Sequence, residues 1–238
     1  MAARVTFVCV LLLVTQGKAG AEGFVDLYGG PIMNGTADVR VSETMSSGTT
    51  FSAGSIELSS SAAFGLRVGA WAPKYNWIGM GMDFGYLRAD GPGVDIKAYP
   101  VSLLLALRAP LFTTAEQPGG RLQPYAMAGL SIYVIDISVQ LDGIGGSSTL
   151  GTWPMFGSTG STVVGPYLVA GLAWQPARNL AVFGECRYTS FDAGFDTTNS
   201  FLFPTVNGRV DATVTTGHIL FGFSYRFMGS TPGKEAQP

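Results

Sequence analysis

The stretch Trp77 to Leu87, WIGMGMDFGYL, alternates with a period of two. Ile78, Met80, Met82, Phe84 and Tyr86 fall on one face; Gly79, Gly81, Asp83 and Gly85 fall on the other. Such alternation belongs to a β-strand whose two faces meet different surroundings. His218 to Phe227 repeats it, with Ile219, Phe221, Phe223, Tyr225 and Phe227 opposing His218, Leu220, Gly222, Ser224 and Arg226. The same pattern runs through Phe64 to Trp71, Val101 to Arg108, Leu168 to Trp174 and Leu180 to Thr189. Weaker strands at Phe24 to Gly30 and Tyr125 to Ile135 bring the set to eight, and the segment 34–61 is long enough to add a hairpin and make ten.

The two faces differ in bulk, and that decides which is inside. An eight-stranded barrel has room only for side chains in its interior. The face of Gly, Ser and Ala with a few charges fits there. The face of Leu, Ile, Met and Phe then points outward, and an all-apolar exterior needs lipid. A water-soluble barrel of the lipocalin kind would reverse the facing. The predicted fold is therefore all-β: an eight-stranded antiparallel up-and-down transmembrane β-barrel.

The N-terminus agrees with export. Arg4 precedes an apolar run, Val5 to Val14, then Thr15 to Lys18 and the small triplet Ala19-Gly20-Ala21. That order is a secretory signal peptide, and the run is below the ~18 residues of a spanning helix. The expected organisation is signal peptide 1–21, barrel 22–227 and a polar tail 228–238. Removing Arg4 and Lys18 leaves 12 basic residues against 16 acidic ones, a net charge of −4, which argues against a nucleic-acid partner. Cys186 remains as a single cysteine, expected to face lipid, so no disulfide framework is available. No later segment approaches a spanning helix, and a closed barrel satisfies every backbone group inside lipid.

Connections alternate in length. Pro73 to Asn76 and Pro176 to Asn179 are tight, Pro110 to Gly120 is longer, and all lie on the side expected to face the periplasm. The opposite connections, near 34–61, 142–164 and 192–209, are long and rich in Gly, Ser, Thr and Asn; only Ala89 to Val94 is short. Alternation persists in Val206 to Thr216, so strands can continue beyond the membrane as hairpins. Trp71, Trp77, Tyr125, Trp174 and Phe227 are expected to form one aromatic girdle, and Tyr86, Tyr99, Tyr188 and Phe191 the other. Pro100 cannot donate to a ladder and is expected at a bulge or rim.

Residues 165–191, GPYLVAGLAWQPARNLAVFGECRYTSF, and the ending HILFGFSYRF resemble OmpA-like and opacity-type small outer-membrane proteins. The resemblance implies an outer-membrane barrel among lipid and lipopolysaccharide, acting as a monomer. It also implies that Gly222, Tyr225 and Phe227 in the closing strand are the signal read by the outer-membrane assembly machinery. A tail from Met228 to Pro238 follows that strand, where many such barrels end on the aromatic; it is far too short for a cell-wall-binding domain.

The chemistry-bearing residues of the inner face are Asp26, Arg67, Asp83, Arg108, Glu185, Arg187, His218 and Arg226. Charges in a low-dielectric interior must pair or meet water. They are expected to form a paired network that plugs the lumen; a narrow pore with exchanging pairs is the rival. His218 is the single histidine, and no cluster of His, Cys and carboxylates suggests a metal. A lipid A-modifying hydrolase would need a serine beside His218, whereas Ser224 is six residues along the same strand, about 20 Å. Catalytic, cofactor and metal sites are accordingly expected to be none. The run Gly79 to Gly85 is not a nucleotide fingerprint, since no helix follows. The expected role is structural, or binding of an extracellular ligand through the long loops.

Overall fold

The computed structural model describes residues 21–43, 50–58, 62–91, 94–114, 117–139, 161–197 and 208–228, and their regular elements are all β-strands. Residues 1–20 of the predicted signal peptide, the tips of the three long loops and the tail beyond Met228 lie outside the described residues. The strands are β1 (Glu22–Glu43), β2 (Thr50–Leu58), β3 (Ala62–Trp71), β4 (Ile78–Gly91), β5 (Val94–Arg108), β6 (Leu122–Val139), β7 (Ser161–Ala177), β8 (Leu180–Thr197) and β9 (Gly208–Met228). No described helix is long and apolar enough to cross a membrane, which says nothing of a β-barrel.

β1 pairs with both β2 and β3, each strand from β3 to β9 pairs with the next, all antiparallel, and β9 pairs back onto β1 to close the barrel. Nine strands make eight staves. β3 pairs with the lower half of β1, from Glu22↔Trp71 to Pro31↔Ala62, and β2 continues in the same register from Gly35↔Leu58. Residues 34–61 thus lengthen two existing staves, and the ten-stranded alternative does not hold. Stepping through adjacent partners leads from Glu22 to Trp71, Gly79, Ala106, Met127, Val169, Arg187, His218 and back to β1 at Ile32, ten residues further along. A stagger of that size over eight staves tilts the strands by about 40° and gives a radius of about 8 Å, too narrow for an open channel once side chains fill it.

The facing follows the period-two reading. Leu66, Leu103, Leu105, Leu130, Phe221 and Phe223 are exposed on the outside, while Arg67, Ser102, Leu104, Ser131, Leu220 and Ser224 are buried within. Glycine has a definite part in this. Five lumenal aromatics lie over the glycine paired with them on the next strand: Phe24 over Gly69, Tyr28 over Gly65, Trp71 over Gly79, Tyr125 over Gly171 and Phe183 over Gly222. A Cβ at any of these glycines would collide with the ring. The small residues of the inner face make room for large ones from the adjacent stave.

Three girdle assignments are corrected. Trp71 and Phe191 are buried in the lumen, and Tyr125 points inward to Glu185, because each shares parity with the inner face. Trp77, Trp174, Phe227, Tyr99 and Tyr188 do face outward, and Phe64, Tyr86 and Tyr99 stack in a row at 4.9 and 5.4 Å. Pro100 marks no bulge, since the register of β5 carries no shift there, and it stands next to Tyr99 at the upper aromatic level. It faces the lumen within β5, where the ladder to β4 skips between Val101 and Ala98, and its ring packs against Gly85. The tight turn after β7 is only Arg178-Asn179, since β7 runs through Ala177.

Above the Tyr86–Tyr99–Tyr188 level the facing inverts. Outward positions become polar, with Arg88, Lys97, Asp192 and Thr213. Inward positions become apolar, with Leu87, Ala89, Ile96, Ala98, Tyr133, Ile135, Phe191 and Val214 packed in one cluster. The lower part is arranged for lipid and the upper part for water. The strands are long enough for both: at ~3.3 Å per residue and ~40° tilt, the 22 residues of β1 rise about 55 Å, against an apolar band of ~25 Å. The loops shorten accordingly, with β8 running to Thr197 and β9 starting at Gly208.

Candidate functional site

The lower lumen is organised around Arg67. Register places Asp26, Arg67 and Asp83 side by side on β1, β3 and β4. The guanidinium donates from Nε to Asp83 Oδ2 at 3.0 Å and from Nη1 to Asp26 Oδ2 at 3.4 Å. Glu185 reaches in from β8, three staves away, and accepts from Nη2 at 2.8 Å and Nη1 at 3.1 Å. Such forked pairs are the strong form of the ion pair, and all of these groups are buried.

Arg187 forms the second knot. Its Nη2 donates to Glu185 Oε1 at 2.8 Å and to Asp83 Oδ2 at 3.4 Å, and its Nη1 donates to the Tyr28 hydroxyl at 3.0 Å. The guanidinium carbon lies 4.2 Å from the centre of the Tyr28 ring and 4.9 Å from that of Tyr167. Three tyrosine hydroxyls complete the carboxylates: Tyr28 donates to Asp83 at 2.5 Å, Tyr167 to Asp83 at 3.1 Å and Tyr125 to Glu185 at 2.6 Å. Tyr28 and Tyr167 were not singled out from sequence, and Tyr125 was expected in the girdle. Their parity with Asp26, Gln123 and Val169 was the available signal.

Arg108 and Arg226 stand apart, at the turn end. They meet on Glu22, with Arg108 Nη2 and Nη1 at 2.6 and 2.9 Å from its carboxylate and Arg226 Nη1 at 3.4 Å. Arg108 also lies 4.2 Å over the Trp71 ring and donates from Nε to the carbonyl of Asn76 at 2.7 Å. Glu22 is a residue the sequence reading missed. It is the fourth acid, so among the described residues four arginines meet four carboxylates in these two groups.

His218 does not join these ion pairs. It stands beside Arg187 in register, but its Nε2 bonds to Thr216 Oγ1 at 2.8 Å, which in turn meets Thr189 at 2.6 Å. No bond joins it to Ser224, whose hydroxyl is itself without a protein partner. Asp26 Oδ1, Trp71 Nε1 and Arg226 Nε likewise lack protein partners and belong to residues around a small void below the Arg67 knot. Tyr133 Oη, Arg187 Nε and His218 Nδ1 belong to residues around a second void above it. Each void measures about 10 Å³, the room of a single water.

Gly222, Tyr225 and Phe227 are divided between the faces of β9. Tyr225 and Phe227 are exposed on the outside with their rings 4.8 Å apart, and Gly222 lies under Phe183 on the inside.

No family model and no curated protein sequence matches the chain. Solved structures do match its fold. The outer membrane protein OprG from Pseudomonas aeruginosa aligns with a TM-score of 0.54 at 14% identity, over 89% of this chain and 98% of that one. The outer membrane protein AlkL, solved by solid-state NMR in DMPC bilayers, aligns with a TM-score of 0.50 at 13% identity, over 90% of this chain and 92% of that one. Neisserial surface protein A gives 0.46 at 17% identity, over 87% and 99%. At such identities the likeness is one of fold. With the lipid-facing exterior described above, that fold makes the chain an integral β-barrel of the outer membrane.

Proposed function

We propose that this barrel is a closed, non-enzymatic scaffold whose work is done at its outer rim, by loops held on rigid strand extensions. The observation that carries this reading is closure at two successive levels. The paired charges around Arg67, Arg187 and Glu22 fill the membrane half of the lumen, and the apolar cluster of Tyr133, Ile135, Phe191 and Val214 fills the half above it. A solid interior supports presentation rather than passage, and binding residues concentrate on loops carried by rigid elements. Among the described residues His218 bonds to Thr216 and to no serine, which supports the non-enzymatic part.

Reconstitution in planar bilayers tests it. Electrical silence is the expected result. Steady unitary steps would replace this reading with that of a small-solute pore. Shortening the chain within 144–157 is expected to leave a barrel that still shifts on unboiled gels, as a presented loop should. Altered lipid A acyl chains that revert in His218→Ala would instead indicate a lipid-modifying enzyme.

A further inference from the structure

The connection from β5 to β6 has two halves that face different ways. The second half closes the base of the lumen: Gln117, Gly119 and Gly120 are buried, Gln123 Nε2 donates to Gly120 O at 2.7 Å, and Asn76 Nδ2 donates to Pro118 O at 2.9 Å. The first half turns outward. Leu111 and Phe112 are 41% and 72% exposed, and Phe112 has φ of 55°. A bulky side chain is rarely held in that region, and such an outlier persists only where its surroundings fix it.

Those surroundings are specific. Leu111 and Leu122 exchange backbone hydrogen bonds at 2.9 and 3.3 Å, and Arg121 N donates to Phe112 O at 3.3 Å. Gly120, at φ of 83°, lies against the backbone of Leu111, where a Cβ would collide. The turn is therefore braced with an aromatic side chain pointing away from the protein. Leu111 continues the outward parity of Leu107, and Trp77 and Trp174 are exposed at the same end of the barrel. Pro110 to Thr114 carries no charge.

We propose that Leu111 and Phe112 form an interfacial anchor that seats in the headgroup boundary of the periplasmic phospholipid leaflet. The occupant is lipid because the patch is continuous with the lipid-facing band through Leu107 and Trp77, and because apolar side chains flanked by backbone-satisfied polar groups are what that boundary accepts. The turn then acts as a bracket, with one half sealing the lumen and the other fixing the depth of the barrel.

Spin labels test the depth. In a Cys186→Ala background, single cysteines replace Phe112, Leu105 as the lipid reference and Lys74 as the aqueous reference. The proteins are purified from outer membranes and reconstituted in phosphatidylethanolamine–phosphatidylglycerol vesicles. A label at 112 is expected to be more accessible to oxygen than to a nickel chelate, with a depth between the two references. Chelate access equal to that at 74 would overturn the proposal. Phe112→Gly supplies an independent sign. Glycine accepts φ of 55° without strain, so a side chain with no lipid contact would leave the urea midpoint in vesicles unchanged or raised. A lowered midpoint is expected, and any other result counts against the anchor.

Discussion

Arg67 on β3 and Glu185 on β8 meet through two parallel N–H···O bonds of 2.8 and 3.1 Å, although 118 residues separate them in the chain. The pair ties together staves that share no ladder. Removing one partner would strand its neighbours: Arg67→Met leaves Asp26, Asp83 and Glu185 facing one another with only Arg187 between the last two. The loss is expected to be about 3–5 kcal/mol, as for other broken buried pairs. Arg67→Met with Glu185→Leu should cost less than the sum of the single changes, because residues in contact couple. Urea midpoints of the folded band in vesicles measure all three.

Tyr28 over Gly65 is the pair most sensitive to packing. A side chain at Gly65 meets both the Tyr28 hydroxyl and the carbonyl of Phe84. Gly65→Val is therefore expected to displace Tyr28 from Asp83 and to cost at least the ~1–3 kcal/mol of an overpacked core. Gly65→Val with Tyr28→Ser should recover part of the loss. The fraction of heat-shiftable band on unboiled gels reports the outcome; equal loss in both would place the damage in the backbone instead.

The inversion of facing fixes where the membrane ends. Leu103, outward and 61% exposed, belongs to the lipid band, whereas Thr213, also outward, belongs to the polar collar. Leu103→Arg is expected to destabilise the barrel in vesicles by ~2–4 kcal/mol and Thr213→Arg by ~0–1 kcal/mol. Similar costs at the two positions would mean that the boundary has been drawn at the wrong height.

Glu22 balances two arginines at the base. Glu22→Gln keeps the shape but removes the charge that Arg108 and Arg226 share at 2.6 to 3.4 Å. A loss of about 1.5–3 kcal/mol is expected, the range for hydrogen bonds to charged groups. Arg226 also acts on Asp26 of the Arg67 knot, so the combined loss with Arg67→Met should fall below the sum of the single changes, read from the same urea midpoints.

The alternation in WIGMGMDFGYL and its counterparts carried the strand character, the inner and outer faces and the number of staves, because a period of two is a local property of the backbone and bulk decides which face fits a narrow interior. It was enough to put Asp26, Arg67, Asp83, Glu185 and Arg226 on one face. Aromatic residues misled at Trp71, Tyr125 and Phe191, where preference for the membrane interface was read ahead of parity. What the sequence could not reach is register. Which residue lies beside which depends on strand pairing across the whole circuit, and ten residues of stagger accumulate before β1 is met again. That stagger brings Glu185 to Arg67 and carries Glu22 to Arg108 and Arg226. These are relations between distant staves, and only closure of the barrel makes them neighbours.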